Sequence, residues 1–340
     1  MTSMRRPRTA PAPALKAVAG SLCALMLLAA CDLRLETPAP TAPSADSAEV
    51  ARQRGATDAE HLADLATAAG AGTPVSEDAG VLATLTEITE TCRDHLVELG
   101  GVYTPFPDAS ERSATQAATA LPVTADTVVV ELREAAKRAV TDADTAESAG
   151  LARLLGSIAA SRTTLAELLA SRLDGTEPLL ATTAPTGAPS GTIAPGDRVP
   201  GIEDPDMLGL IAAEDALGAG WEVVAARADD TAKDQAILVA IDHRNRAQAW
   251  ATAMQIDGAA LDPRRSAYDL PAGVLDPDGD ALAALTTWED ALADRYAALV
   301  AAADPRSRSY LIAGLTATAR RIVQMGATVG SLPGVDEASG

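Results

Sequence analysis

The 340-residue sequence contains few aromatic, cysteine, histidine and basic residues. Aromatic residues make up 2% of the chain, there are three cysteines and three histidines, and lysine occurs only at positions 16, 137 and 233. With so few large rings, little area is buried per residue, and stability must come from many small contacts. The net charge of −20 repels nucleic acid, so we expect no nucleic-acid partner.

Motifs of several common enzyme classes are also missing from the sequence. It contains no Gly-x-Ser-x-Gly, no phosphate-binding Gly-x-x-x-x-Gly-Lys, no His-Glu-x-x-His and no pair of Cys-x-x-Cys motifs. Three histidines leave little room for general-base chemistry, although carboxylates can take that role. The sequence therefore favours binding over catalysis without deciding whether the protein is an enzyme.

The one strongly apolar run covers residues 17–28 and follows four basic residues, Arg5, Arg6, Arg8 and Lys16. This layout is typical of a secretory signal, and about 12 apolar residues are too few to span a bilayer. The sequence Leu28-Ala29-Ala30-Cys31 resembles the bacterial lipobox. That resemblance implies a signal peptide over residues 1–30 and a diacylglycerol on Cys31; the alternative is an ordinary signal peptide that ends beside a cysteine.

The cysteines agree with this interpretation. Cys23 is lost with the signal and Cys31 carries lipid, so the mature chain keeps only Cys92 as a free thiol and forms no internal disulfide. We therefore expect a lipoprotein on the extracytoplasmic face of the cell membrane, held there through the lipid on Cys31.

Two proline-rich stretches divide the rest of the chain. Residues 31–47 are too poor in apolar side chains to bury anything and predict a tether. Residues 174–204 are rich in Pro, Gly, Thr and Ser, which predicts a linker between domains. The predicted domains are an N-terminal helical bundle over residues 48–173 and a second bundle over residues 205–335.

Apolar residues recur at helical spacing throughout both halves, so the sequence predicts an all-α protein with four helices in each half. In the second half we expect helices near residues 207–228, 231–256, 278–303 and 306–328. The β-branched run Val128-Val129-Val130 has neighbours at helical spacing and is also predicted to be helical.

Long connections that contain proline separate the second and third predicted helices of each half. In the first half the connection includes residues 103–107 and 121–122, and in the second half it covers residues 262–271. A bundle needs such a link when these two helices run parallel, because the chain must return along the whole bundle. The pattern predicts tandem four-helix bundles of ferritin-like topology with long crossovers, the first half being a diverged repeat of the second.

Several motifs of the second half resemble an uncharacterised ferritin-like domain family of actinobacterial proteins. They are Ala212-Ala213-Glu214-Asp215-Ala216, Asp242-His243-Arg244, Ser266-Ala267-Tyr268-Asp269-Leu270-Pro271, Trp288-Glu289-Asp290-Ala291, Tyr296 and Ser331-Leu332-Pro333-Gly334. The resemblance covers about residues 207–335 and implies a four-helix ferritin-like fold without an assigned activity. In that family the first motif usually reads Ala-Ala-Glu-His and the last commonly reads Phe-Pro-Gly, whereas this chain has Asp215 and Leu332.

The ferritin-like layout directs Glu214, His243 and Glu289 from three helices towards one bundle centre. A di-iron site takes one Glu from each of two helices and a Glu-x-x-His pair from each of the other two. Here Ala240 stands three residues before His243, and residues 306–325 contain no Glu, Asp or His. Three ligands are too few for a hard iron site, so we expect a buried hydrogen-bonded network. A mononuclear metal site and exposure of one of the three residues are the alternatives, and the nearby Arg244 and Arg246 are candidate partners for the carboxylates.

A second candidate site lies in the first half, where Cys92 and His95 are three residues apart. Together with Glu60 and His61 of the preceding helix, they have the chemistry of a zinc site. Cys92, however, belongs to an apolar stripe, where a free cysteine usually packs as a small hydrophobic residue. Packing is therefore the favoured interpretation, and zinc binding is the alternative.

The sequence thus predicts a membrane-anchored lipoprotein that acts as a non-catalytic binding or envelope-interaction module with a degenerate ferritin-like site. No cofactor is expected, and a divalent metal is the less favoured possibility. The partner would be an envelope protein or a small ligand, for example in a crevice between the bundles. The alternative is a metal-binding or metal-dependent redox protein that uses the reduced ferritin-like site.

Overall fold

The computed structural model describes residues 44–72, 78–103, 123–175, 198–276, 278–328 and 330–335. These residues form nine helices and contain no strand, which confirms the predicted all-α class. The predicted signal peptide with Cys31, most of the predicted tether, residues 104–122 of the predicted first-half crossover and most of the predicted linker lie outside the described residues.

The first half contains four helices: α1 (Ser47–Gly70), α2 (Ala79–Glu98), α3 (Ala125–Thr145) and α4 (Ala149–Leu173). Each begins after a residue whose side-chain oxygen accepts a hydrogen bond from a first-turn N–H: Asp46, Asp78, Thr124 and Ser148. Val128 and Val129 lie in α3 and face the core, so the β-branched run is helical as predicted.

The second half contains α5 (Asp204–Arg227), α6 (Asp230–Ala253), α7 (Ala272–Leu275), α8 (Ala281–Ala302) and α9 (Ser309–Gln324). The four long helices match the four predicted stretches. The one-turn helix α7 was not predicted, because four residues are too few to show a period. Arg227 holds this turn in place by donating hydrogen bonds to the carbonyls of Val274 and Leu275.

The two halves pack against each other through α4 of the first half and α8 and α9 of the second. The described residues from Ala45 onwards form one compact unit, and one apolar cluster includes Leu155 and Ile158 of α4 together with Val300 and Ile312. Gly156 allows this close approach, since an added Cβ would lie 3.3 Å from Val300 Cγ1 and 3.4 Å from Ile312 Cγ1.

Arg308 adds polar contacts between the halves. Its side chain is buried, and Nη1 donates to the carbonyls of Ala143 (3.0 Å) and Ala146 (2.6 Å) at the end of α3. At the other end of the interface, Arg320 forms two hydrogen bonds with Glu167 of α4. That residues 48–173 and 205–335 fold as separate domains stays a prediction. In the structure the two halves share an apolar core.

No helix in the described part of the chain is long and apolar enough to cross a membrane.

Candidate functional site

His243 lies at the centre of a buried cluster in the second half. Its Nδ1 is 2.7 Å from Oε2 of Glu214 on α5, and its Nε2 is 2.9 Å from Oε1 of Glu289 on α8. None of the three side chains is exposed to solvent. The structure therefore brings together the three residues that the ferritin-like layout directs to one bundle centre.

Glu214 has two further hydrogen-bond donors. Arg246 lies three residues after His243 on α6, and its Nε donates to Oε1 of Glu214 at 2.8 Å. The hydroxyl of Tyr296 on α8 donates to the same oxygen at 2.5 Å. Together with His243, these donors engage both carboxylate oxygens, as a buried carboxylate requires.

Asp242 and Arg321 complete the cluster. Arg246 forms an ion pair with Asp242 one turn earlier on α6, and Nη2 of Arg321, from α9, is 3.7 Å from Oδ2 of Asp242. Three carboxylates, of Glu214, Asp242 and Glu289, thus face two guanidinium groups and one imidazole. The cluster is electrically neutral when His243 is protonated.

Electrostatics favour this protonated form. Burial lowers the pKa of a histidine, but Glu289 and the hydrogen bonds to both carboxylates outweigh burial and the repulsion from Arg246, so the pKa of His243 is raised. Burial by itself would raise the pKa of Glu214, but Arg246 and His243 outweigh it and lower that pKa to about 2. Both ring nitrogens of His243 face carboxylate oxygens, and Nη2 of Arg246 lies 3.0 Å from the same Nδ1.

This arrangement differs from the donor set of a di-iron centre. Both nitrogens of His243 already contact carboxylates, and the fourth helix contributes the guanidinium of Arg321 where a metal site needs an anionic or neutral ligand. Across the described ranges, no group of three or more His, Cys, Asp or Glu side chains has an arrangement that could hold a metal ion. The cluster has the chemistry of a buried ion-pair network.

Asp215 interacts with a different group of residues. It stands where the family that this chain resembles usually has histidine. It accepts a hydrogen bond from the hydroxyl of Tyr268 at 2.6 Å and from the backbone N–H of Arg265 at 3.2 Å, and it pairs with Arg244. Arg265 and Tyr268 belong to the crossover between α6 and α8. Of the two arginines proposed as partners for the cluster, Arg246 binds Glu214, whereas Arg244 helps Asp215 to anchor the crossover.

The four candidate zinc ligands of the first half differ in their exposure to solvent. Cys92 and His95 are fully buried on α2, whereas Glu60 and His61 are exposed on α1. Cys92 packs in an apolar cluster with Leu85, Ile88 and others, and burial raises the pKa of its thiol to about 11. His95 contacts a backbone carbonyl, with its Nε2 2.8 Å from the oxygen of Ser331. Cys92 therefore has the surroundings of a packed thiol.

A buried arginine that sequence reasoning missed lies near this pair. Arg162 of α4 is fully buried and donates from Nη2 to the carbonyl of Gly55 at 3.0 Å. Its Nη1 is 3.8 Å from Asp58, and its charge acts on both Cys92 and His95. The only sequence signal is that an arginine interrupts the apolar stripe of α4.

We expect acidification to destabilise the protein through His95. Burial, with a contribution from Arg162, lowers the pKa of His95 to about 3, against 6.5 for an ordinary histidine. A depressed pKa means that the unfolded chain binds the proton first, so this stabilisation is present above pH 6.5 and is lost as pH falls. The loss is about 1.4 kcal/mol per pH unit below pH 6.5.

Urea unfolding at pH 6.5 and pH 5 measures this effect, with His95→Gln as the comparison because glutamine can still donate to Ser331. The wild-type protein is expected to lose about 2 kcal/mol more than the variant over this interval. Equal losses in the two proteins would show that His95 is not the group responsible.

Comparison with known families adds one finding. Residues 209–337 match the model of a family described as Domain of unknown function (DUF4439). The matched region begins within α5 and contains Glu214, His243, Glu289 and all of α6 to α9. Searches of curated proteins and of solved structures give no match to this chain.

Proposed function

We propose that this protein is a lipid-anchored, extracytoplasmic binding module of ferritin-like topology, related to the actinobacterial family that its motifs resemble. In this proposal its inherited site has become a structural ion-pair network. Cys31 would carry the lipid, the tether would hold the helical part away from the membrane, and the acidic surface would remain in solution.

The observation that best supports a non-catalytic role is the geometry around His243. Both ring nitrogens are within hydrogen-bond distance of carboxylates and the side chain has no exposed surface, so neither nitrogen is presented to a substrate. Glu214, His243 and Glu289 have no exposed surface, and Asp242 is buried beside them. Such an arrangement fits a role in fixing the packing of α5, α6, α8 and α9.

The anchor is tested by replacing Cys31. Labelling with a radioactive fatty acid, followed by membrane fractionation, is expected to give a labelled membrane protein for the wild type and an unlabelled, unprocessed chain for Cys31→Ala. Cys92→Ala is the matched control and should keep its label, because no lipobox precedes Cys92. A Cys31→Ala chain that still incorporates fatty acid would disprove lipidation at Cys31.

The metal-binding alternative has one observation in its favour. Oε2 of Glu289 is buried and has no hydrogen-bond partner among the described residues, which leaves one carboxylate oxygen available. Elemental analysis of the purified protein decides between the two functions. We expect substoichiometric iron, manganese and zinc in the wild type.

The variants for this comparison are His243→Ala and, as a control, His61→Ala, which removes an exposed histidine. His243→Ala is expected to lower the free energy of unfolding by about 1–3 kcal/mol through unsatisfied carboxylates. One equivalent of metal that is lost in His243→Ala and kept in His61→Ala would favour the metal-binding function.

A further inference from the structure

Residues 330–335, here called the C-terminal segment, are held on the first half by side-chain hydrogen bonds to their backbone. His95 of α2 lies 2.8 Å from the carbonyl oxygen of Ser331. From α4, Ser157 Oγ donates to the carbonyl of Pro333 at 2.8 Å, and Arg153 Nη2 donates to that of Gly334 at 2.6 Å. Three side chains on two helices thus bind three carbonyls within four residues.

The segment presents these carbonyls from a preformed turn. The N–H of Val335 donates to the carbonyl of Leu332 at 3.0 Å, with Pro333 and Gly334 between them. Proline at the second position and glycine with φ +69° at the third are the signature of a type II turn. A peptide that already has this shape loses little conformational entropy when it binds.

Two positions of the segment add selectivity. The side chain of Leu332 is buried in the apolar cluster that the two halves share. At Gly334 an added Cβ would lie 2.3 Å from the carbonyl oxygen of Ala293 on α8, so no larger residue fits there. Main-chain hydrogen bonds combined with a side-chain pocket are the usual basis of peptide recognition.

The cleft around the segment is not completely filled. A cavity of about 210 Å³ lies beside Leu332 and Pro333 and is also lined by Asp290 and Ile322. A second cavity of about 250 Å³ borders Ser331 and reaches Glu87 and Asp94 of α2. The segment therefore occupies a site that has space on both sides.

We propose that His95, Arg153 and Ser157 form a peptide-binding site that recognises a Leu-Pro-Gly turn through its carbonyls. The chain's own C-terminal segment occupies this site, and a peptide of the same chemistry binds there when the segment is released. The inference gives the proposed binding module a site and a class of partner, and in that sense it rests on the proposed function.

The test separates the segment from the rest of the folded chain. Residues 326–328, just before the segment, are replaced by the recognition sequence of a specific protease, and the full chain is cleaved only after it has folded. The released C-terminal fragment is removed by gel filtration. A fluorescent synthetic peptide with the sequence of residues 330–335 is then titrated into the cleaved protein, and fluorescence anisotropy reports binding.

We expect saturable binding of this peptide and no binding of a peptide with Gly334→Ala. Ser157→Ala in the protein should weaken binding about tenfold, because the carbonyl of Pro333 loses its donor. Thr163→Ala is the matched control, since this α4 hydroxyl bonds within its own helix to the carbonyl of Ala159 and should leave affinity unchanged. A fragment that stays bound but exchanges with labelled peptide, or that is supplied by a second copy in a swapped dimer, would also support the site.

Absence of saturable binding, or equal affinities of Ser157→Ala and Thr163→Ala, would overturn the inference. If the cleaved protein unfolds when the fragment leaves, circular dichroism replaces anisotropy. The wild-type peptide must then restore the helical signal and the Gly334→Ala peptide must not, and failure to restore it also contradicts the site. Because the assay reads only peptide binding, a negative result leaves the acylation and metal tests of the proposed function unaffected.

Discussion

Replacing Arg246 with methionine is expected to lower the free energy of unfolding by about 3–5 kcal/mol. Arg246 is the cation that contacts both Glu214 and Asp242, and both carboxylates are buried. Without it, two anions stay in the core with insufficient positive charge, and the variant loses far more than one surface interaction. Chemical unfolding followed by the fluorescence of the buried Trp221 and Trp250 measures the change.

Arg198→Met is the control for this experiment, because Arg198 forms an ion pair with Asp204 in which both side chains are more than half exposed. It should lower the free energy of unfolding by less than about 1 kcal/mol.

The pH dependence of the loss in Arg246→Met is a second readout. Removal of Arg246 takes away a main cause of the low pKa of Glu214, so burial then raises that pKa. The deficit of Arg246→Met should therefore shrink as pH falls towards 4, whereas a small, pH-independent deficit would contradict the assigned role.

Gly314→Ala is expected to destabilise the protein by about 1–3 kcal/mol, although alanine is the better helix former by about 1 kcal/mol. Gly314 lies on α9 against the ring of Tyr296, and an added Cβ would be 2.2 Å from Cε1 and 2.4 Å from Cζ. The ring cannot easily move, because it is fully buried and its hydroxyl binds Glu214. Thermal or chemical unfolding measures the loss.

Gly150→Ala provides a control of opposite sign. Gly150 lies in the first turn of α4 with no other atom within 4 Å of its added Cβ, so the substitution costs no packing. It should stabilise the protein by about 0.4–1 kcal/mol by restricting the unfolded chain. If both substitutions change stability in the same direction, the close contact between Gly314 and Tyr296 does not decide the outcome at that position.

Part of this site could be predicted from the sequence. Glu214, His243 and Glu289 occupy positions that a four-helix layout directs inwards, so their proximity follows from the helical period and from the order of the helices. Their partners were harder to predict. Arg244 directly follows His243 and Arg246 lies three residues after it, but only Arg246 reaches Glu214, because residues two apart point to different sides of a helix.

Tyr296 and Arg321 illustrate the same difficulty at greater distance. Tyr296 entered the sequence argument only through a family motif, and Arg321 not at all, yet both contribute to the cluster from α8 and α9. An arginine near the end of a helix is usually solvated or interacts with the last carbonyls. Its inward direction depends on how α9 packs against α6 and α8, which local sequence does not record.

By itself, the sequence determined the helices, because their pattern of apolar residues repeats every three or four positions and their N-terminal caps lie within one turn. It also set the net negative charge of the chain and the lipobox-like residues 28–31, from which a signal peptide is predicted. Only the tertiary structure decided that α4 packs on α8 and α9, and that the Leu-Pro-Gly turn lies on His95, Arg153 and Ser157. The three hydrogen bonds to the turn join residues 176 to 236 positions apart, and neither helical period nor composition specifies which distant surfaces are complementary.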